Sequence, residues 1–125
     1  MTRLILVVDD DDRSRKLAAD LLRHHGHTVV ALADGEAALD YLGSTRPDLV
    51  LLDLQLPGCS GLDVLAWIQR QPALQAMPVL AMTASVMPSQ HGDLAQRGFA
   101  AFLGKPLSIK GLAATVQACL PQGPP

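Results

Sequence analysis

Three aspartates, a threonine and a lysine stand where short apolar runs end. Leu4-Ile5-Leu6-Val7-Val8 runs into Asp9-Asp10, and Leu49-Val50-Leu51-Leu52 runs into Asp53. Val79-Leu80-Ala81-Met82 meets Thr83-Ala84, and Phe99-Ala100-Ala101-Phe102-Leu103 leads through Gly104 to Lys105-Pro106. Carboxylate oxygens are the ligands a hard divalent cation prefers. An ammonium and a hydroxyl are donors suited to phosphoryl oxygens. If the four runs end at one place, their terminal residues make a site for a divalent cation and a phosphoryl group.

The runs have the length and composition of buried parallel strands. In an open parallel sheet, ligands bind outside the carboxyl ends of the strands. Between the runs the sequence reads as helix. Asp11 caps a helix over 11–25, in which Leu17, Ala18, Leu21 and Leu22 form a stripe and Gly26 is the stop. Residues 27–31 form a further strand, with β-branched Thr28, Val29 and Val30. Asp34 caps a helix to about Leu42, with Glu36 at its positive end. Ser60 caps a helix to about Gln71 that turns Leu62, Leu65 and Ile68 inward. Pro88 opens a short helix to about Arg97, and Ser108 caps a last one that buries Ile109, Leu112, Ala113, Val116 and Leu120. Gly111 weakens the start of that last helix. Five strands alternating with five helices predict an α/β domain of three layers with a parallel sheet and right-handed crossovers.

The 125 residues suit one domain, and 49% are apolar, enough for a core. A formal charge of −2 gives no nucleic-acid surface. No run approaches the ~20 apolar residues of a membrane helix, and the opening residues lack the organisation of a signal peptide. Cys59 and Cys119 match no metal or redox spacing and read as free thiols of a reducing cytoplasm. Residues 1–120 are expected to form the domain. Residues 121–125, Pro-Gln-Gly-Pro-Pro, are expected to be a tail or linker stub. The start at Met1 reads as natural, and the end as a natural stop or a domain edge.

Taken in order, Val7-Val8-Asp9-Asp10, Pro47-Asp48 through Asp53, Pro57 with Gly61, Met82-Thr83-Ala84 and Lys105-Pro106 resemble the receiver domain of response regulators. This is the CheY-like phospho-acceptor module of two-component signalling. The pattern Asp53-Leu54-Gln55-Leu56-Pro57 with Ser60-Gly61-Leu62 is most similar to single-domain cell-cycle regulators of the DivK type. The resemblance covers residues 4 to about 120. It implies a (βα)5 flavodoxin-like, doubly wound five-stranded sheet with strand order 2-1-3-4-5. It also implies a non-enzymatic module, at most assisting its own phosphorylation and dephosphorylation. A histidine kinase or histidine phosphotransfer protein would donate the phosphoryl group, with Mg2+ as cofactor.

Residue by residue, the resemblance makes Asp53 the phosphorylation site, in keeping with the capacity of aspartate for covalent phosphoryl transfer. Mg2+ would be held by Asp10 directly, by Asp9 mainly through water, by Asp53 and by the backbone carbonyl of Gln55. Thr83, the N–H of Ala84 and Lys105 would contact the phosphoryl group. The bond before Pro106 would be cis, and Phe102 would be the aromatic switch answering to Thr83. The output would be a contact with a target protein through Met87, Gln90, His91, Leu94, Phe102 and Lys110. Arg13, Arg15, Lys16 and Arg23 of the first helix would meet the kinase. No DNA-binding element is present in these residues, and a monomer or a weak phosphorylation-dependent dimer is expected.

Two other readings start from the same residues. A phosphohydrolase of the haloacid-dehalogenase type uses an aspartate after its first strand and a second two residues on, which Asp9 and Asp11 imitate. That reading lacks a late acidic pair and leaves Asp53 idle. The chain is also compatible with a receiver cut from a hybrid kinase or a diguanylate cyclase. His24, His25 and His27 around Gly26 suggest a metal site only weakly, because the helix ends among them. Trp67 is expected to be partly exposed.

Overall fold

The structure is a computed structural model and describes residues 3–84 and 91–120. Five strands, β1 (Leu4–Val8), β2 (Thr28–Leu32), β3 (Leu49–Asp53), β4 (Val79–Thr83) and β5 (Ala101–Gly104), alternate with five helices. These are α1 (Asp12–His24), α2 (Gly35–Leu42), α3 (Gly61–Gln69), α4 (His91–Arg97) and α5 (Ile109–Cys119). All strand pairs are parallel, in the order β2-β1-β3-β4-β5. The order reverses between β1 and β3, so a crevice opens beyond the carboxyl ends of these two strands. The expected fold class is the one observed. Among the described residues, no helix is long and apolar enough to cross a membrane.

The β3 and β4 strands are buried throughout, as continuous apolar runs between two helical layers must be. One face packs Leu6, Val8, Val50, Leu52 and Ala81 against Ala38, Val64, Leu65 and Ile68 of α2 and α3. Phe99 belongs to this layer, and Tyr41, Trp67 and Phe102 pack on it half-buried. The other face packs Ile5, Val7, Leu49, Leu51, Leu80 and Met82 against α1 and α5 through Ala18, Leu22, Leu112 and Val116. Each fully buried Leu, Ile or Val contributes about 1.5–3 kcal/mol, which makes the central strands the rigid part of the molecule. Asp48 fixes the other end of the sheet: its N–H donates to the Leu4 carbonyl at 2.7 Å, and its carboxylate accepts from the Leu4 N–H at 2.8 Å.

Local departures from expectation have simple causes. Leu62 and Ile109 are exposed rather than inward, Ile109 at 60%. Each sits in the first turn of its helix, and the buried stripe of α3 is instead Gly61, Val64, Leu65 and Ile68. The α3 helix stops at Gln69, and Pro72–Leu74 forms a 3-10 turn before β4. Of the run 99–103, only Ala101 onward is strand, because the Phe99 N–H returns to the Leu94 carbonyl to close α4. Leu94, expected on a docking surface, is buried at 7%. The expected roles of Met87, Pro88 and Gln90 and the tail at 121–125 lie outside the described residues.

Candidate functional site

The residues that end the strands meet at one edge of the sheet. Asp53 is the last residue of β3, between β1 and β4, and Asp9 follows β1 directly. Ligand atoms of Asp9, Asp10 and Asp53 lie within 4.8 Å of one another. Asp9 and Asp53 are buried, at 0% and 3%, whereas Asp10 faces solvent. Lys105 arrives from the end of β5, where its N–H donates to the Thr83 carbonyl at 2.9 Å. The peptide bond between Lys105 and Pro106 is cis.

The ammonium of Lys105 bridges the two buried acids, donating to Asp9 Oδ1 at 2.9 Å and to Asp53 Oδ2 at 3.0 Å. Asp53 Oδ1 accepts the N–H of Gln55 at 2.9 Å, so both of its oxygens are oriented. Asp9 Oδ1 also accepts the N–H of Asp11 at 2.9 Å. Arg15 reaches back from α1 to the Asp9 carbonyl at 2.9 Å and holds the strand end in place. Among the described residues, Asp9 Oδ2 is buried without a hydrogen-bond partner.

Electrostatics follow from this packing. Burial pushes the Asp9 carboxyl above its ordinary range, against the lowering effect of the Asp11 N–H and of Lys105. Burial alone would lower the Lys105 ammonium, but the hydrogen bonds and charges of Asp9 and Asp53 outweigh it and raise it. An unpartnered buried carboxylate oxygen is costly unless something binds it. Asp9 Oδ2 and the convergence of three carboxylates, one open to water, therefore fit a hard divalent cation. Gln55 stands exposed at the rim of the same pocket.

Thr83 ends β4, 5% exposed, with Ala84 exposed directly after it. Phe102 lies half-buried on β5, paired in register with Ala81, two residues before the Gly104 that faces Thr83. The strand ends thus gather Asp9, Asp10, Asp53, Thr83 and Lys105, with Phe102 set back along the edge strand. The hold of Lys105 and Arg15 on Asp9 has no local signature in the sequence. A sequence alone does not signal a contact across 96 positions, and by its spacing Arg15 reads as one more surface cation of α1.

Other candidates resolve otherwise. Asp11 is spent on capping: it accepts from the Arg13 N–H at 3.3 Å and the Ser14 hydroxyl at 2.9 Å, which lower its carboxyl below the usual value. The carboxylate that the haloacid-dehalogenase-type reading needs at Asp11 is therefore engaged as a helix cap. The rings of His24 and His25 meet edge to face at 5.9 Å, but among the described residues the histidines build no metal-ligating group. Cys59 and Cys119 are free thiols, both raised by burial.

Comparison with known proteins points the same way. A family model of the response regulator receiver domain matches residues 5–117. The polar-differentiation response regulator DivK of Brucella ovis is 34% identical over 120 residues, spanning 96% of this chain and 98% of that protein. The chemotaxis response regulator CheY4 of Vibrio cholerae superposes with a TM-score of 0.90 at 26% identity, over 96% of this chain and 100% of that one. The Mn2+-bound form of response regulator Rcp1 superposes with a TM-score of 0.77 at 30% identity, over 96% and 99% of the two chains.

Proposed function

This chain belongs to the response-regulator receiver family, and on that premise we propose that Asp53 accepts its phosphoryl group in a Mg2+-dependent transfer from a phosphohistidine. The observation that carries the assignment is the bridge of Lys105 between Asp53 and Asp9 at the carboxyl edge of the sheet. It presents one oriented carboxylate beside a cation and an open acidic pocket. In the transfer, an Asp53 oxygen attacks phosphorus, a P–O bond forms, and the P–N bond to histidine breaks. Mg2+ bound there would neutralise charge on the phosphoryl oxygens, as cations do in phosphoryl transfer. Asp9, Asp10, Asp53 and the Gln55 carbonyl are the residues that would hold it. The Mn2+ of Rcp1 is a precedent for a divalent cation in a similar protein.

Lys105 then exchanges its bond to Asp53 for one to the phosphoryl group, while still held by Asp9. Thr83 and the Ala84 N–H stand on the neighbouring strand end to receive the remaining oxygens. Phe102 is the residue through which Thr83 would be read at β5. The module has no turnover of its own beyond assisting this transfer and its reversal, and it works in the cytoplasm.

A sensor kinase or phosphotransfer protein would approach along α1. There Arg13, Lys16, Leu17, Leu21 and the exposed Ile109 border an open cavity of about 510 Å3. The target would read the surface formed by α4, β5 and α5, with Phe102 and Lys110. The state in solution is a monomer or a weak phosphorylation-dependent dimer, and residues 1–120 constitute the receiver. Intact mass after incubation with acetyl phosphate and Mg2+ tests the assignment. The wild type should gain one phosphoryl mass, and Asp53→Asn none. An undiminished adduct in the variant would overturn the assignment of Asp53.

A further inference from the structure

The loop at residues 54–60 carries two backbone groups that matter at the pocket. The Gln55 N–H orients Asp53, and the Gln55 carbonyl would help to hold the cation in the reading above. The loop must therefore be held in place, and two glycines without room for a side chain hold it. Gly61 closes it at its base: its N–H donates to the Leu54 carbonyl at 3.3 Å. A methyl group at 61 would lie 2.7 Å from Leu54 Cα and overlap the Asp53 carbonyl oxygen.

The second glycine belongs to another element. Gly35 opens α2, and a Cβ there would sit 2.5 Å from the Cys59 carbonyl oxygen, 3.1 Å from Cys59 Cβ and 3.2 Å from its Sγ. Backbone conformation does not demand glycine at this position, since only Gly26, Gly58 and Gly98 have positive φ among the described residues. Space does. The helix start cannot retreat, because Asp34 caps it through the Ala37 N–H at 2.7 Å and Gly35 is itself buried. The start of α2 is thus a fixed stop against the end of the loop, while the left-handed Gly58 (φ 69°) supplies the bend beside it.

Given the assignment of this pocket to Mg2+, we propose that Gly35 is a positioning residue for the cation: its missing side chain sets where Cys59, and through the loop Gln55, can lie. It offers nothing to the pocket itself. A methyl group at 35 has to push a carbonyl rather than a flexible side-chain tip. The displacement runs along the loop and not into the sheet.

The test is an amide NMR titration of the full chain with Mg2+, read at Gln55 and Asp53, for the wild type, Gly35→Ala and Gly43→Ala. Gly43 caps the other end of α2, and a Cβ there meets its nearest atom at 3.4 Å, an ordinary contact. Gly35→Ala should raise the Mg2+ midpoint about tenfold, the low end of the losses that follow when supports behind a metal ligand are disturbed. Gly43→Ala should leave it unchanged. All three proteins are titrated with and without trimethylamine N-oxide, which favours the folded state. A folded Gly35→Ala with the wild-type midpoint overturns the proposal. So does a Gly35→Ala that fails to fold even in the osmolyte, since the residue would then serve the fold. A wild type with no Mg2+ response at these amides would remove the premise, and the proposal with it.

Discussion

Lys105→Met isolates the charge that joins the two buried acids. The substitution keeps most of the packing of the side chain, one heavy atom shorter, and deletes the ammonium. Asp9 and Asp53 are 0% and 4% exposed at their side chains, and Lys105 is 15% exposed. Removing one partner of a buried ion pair costs about 3–5 kcal/mol, because the charge left behind has no compensation. Lys105 and the neighbouring Asp10 meet water, so the low end applies, about 3 kcal/mol at neutral pH without metal. For a chain of this length that is about 10 °C in Tm. The deficit should depend on pH with a definite sign. Asp9 has a raised carboxyl in the folded state, so its contribution favours folding when protonated and is lost as pH rises through the folded value. Deleting Lys105 removes two influences that lower Asp9 and so raises it further. The variant should therefore approach the wild type towards acid pH and fall further behind as pH rises towards neutral. Lys105 itself, raised in the folded state, loses its contribution only in the alkaline range and does not disturb this window. Urea denaturation in EDTA, followed by far-UV circular dichroism across that range, measures the difference. A deficit below about 0.5 kcal/mol, the size of an ordinary surface change, would refute the reasoning. A deficit that grew as pH fell would refute it as well.

Asp10 is exposed and makes no side-chain hydrogen bond among the described residues, so Asp10→Ala should leave metal-free stability equal or slightly higher by relieving repulsion, and abolish most of the Mg2+-induced rise in Tm. Scanning calorimetry with and without Mg2+ reads this, and an unchanged Mg2+ shift would remove Asp10 from the ligand set. Ser60→Ala breaks a reciprocal cap, in which Ser60 Oγ accepts the Asp63 N–H at 3.2 Å and Asp63 Oδ2 accepts the Ser60 N–H at 3.1 Å. It should cost about 1 kcal/mol in urea denaturation, and no loss would mean that the cap is idle. Phe102→Ala should keep phosphorylation of Asp53, measured by intact mass, yet lose the amide NMR response to beryllofluoride along β5. Lys105→Ala should lose that response around α4, and a full wild-type pattern there would break the link assigned to the ammonium.

The strand ends were legible because their signal is local. A fully apolar run that stops at Asp53 or Thr83 declares a buried strand and its terminus together, and Asp11, Asp34 and Ser60 declare the helix starts. Strand order was not legible from alternation, since βα repetition leaves the permutation open. It came from the resemblance. Apolar character alone points Leu62 and Ile109 inward, while helix phase decides burial. Residues in the first turn often precede the packed stripe. The bond from Lys105 to Asp9 joins the last strand to the first, and only three dimensions reveal it. Gly35 carried no sign of its role, because a missing side chain matters only through Cys59, which lies opposite it in space.

The two layers of the core differ in what light can report. Trp67, Tyr41, Phe99 and Phe102, which are all the tryptophan, tyrosine and phenylalanine in the chain, sit on the sheet face covered by α2 and α3. The face under α1 and α5 carries none of them. Intrinsic fluorescence and near-ultraviolet dichroism are thus one-sided probes of this molecule. They will register a rearrangement that reaches Phe102 or α3 and stay silent on a partner that docks along α1. A binding experiment on that second face needs a label placed there, and a flat fluorescence titration would not mean that nothing bound.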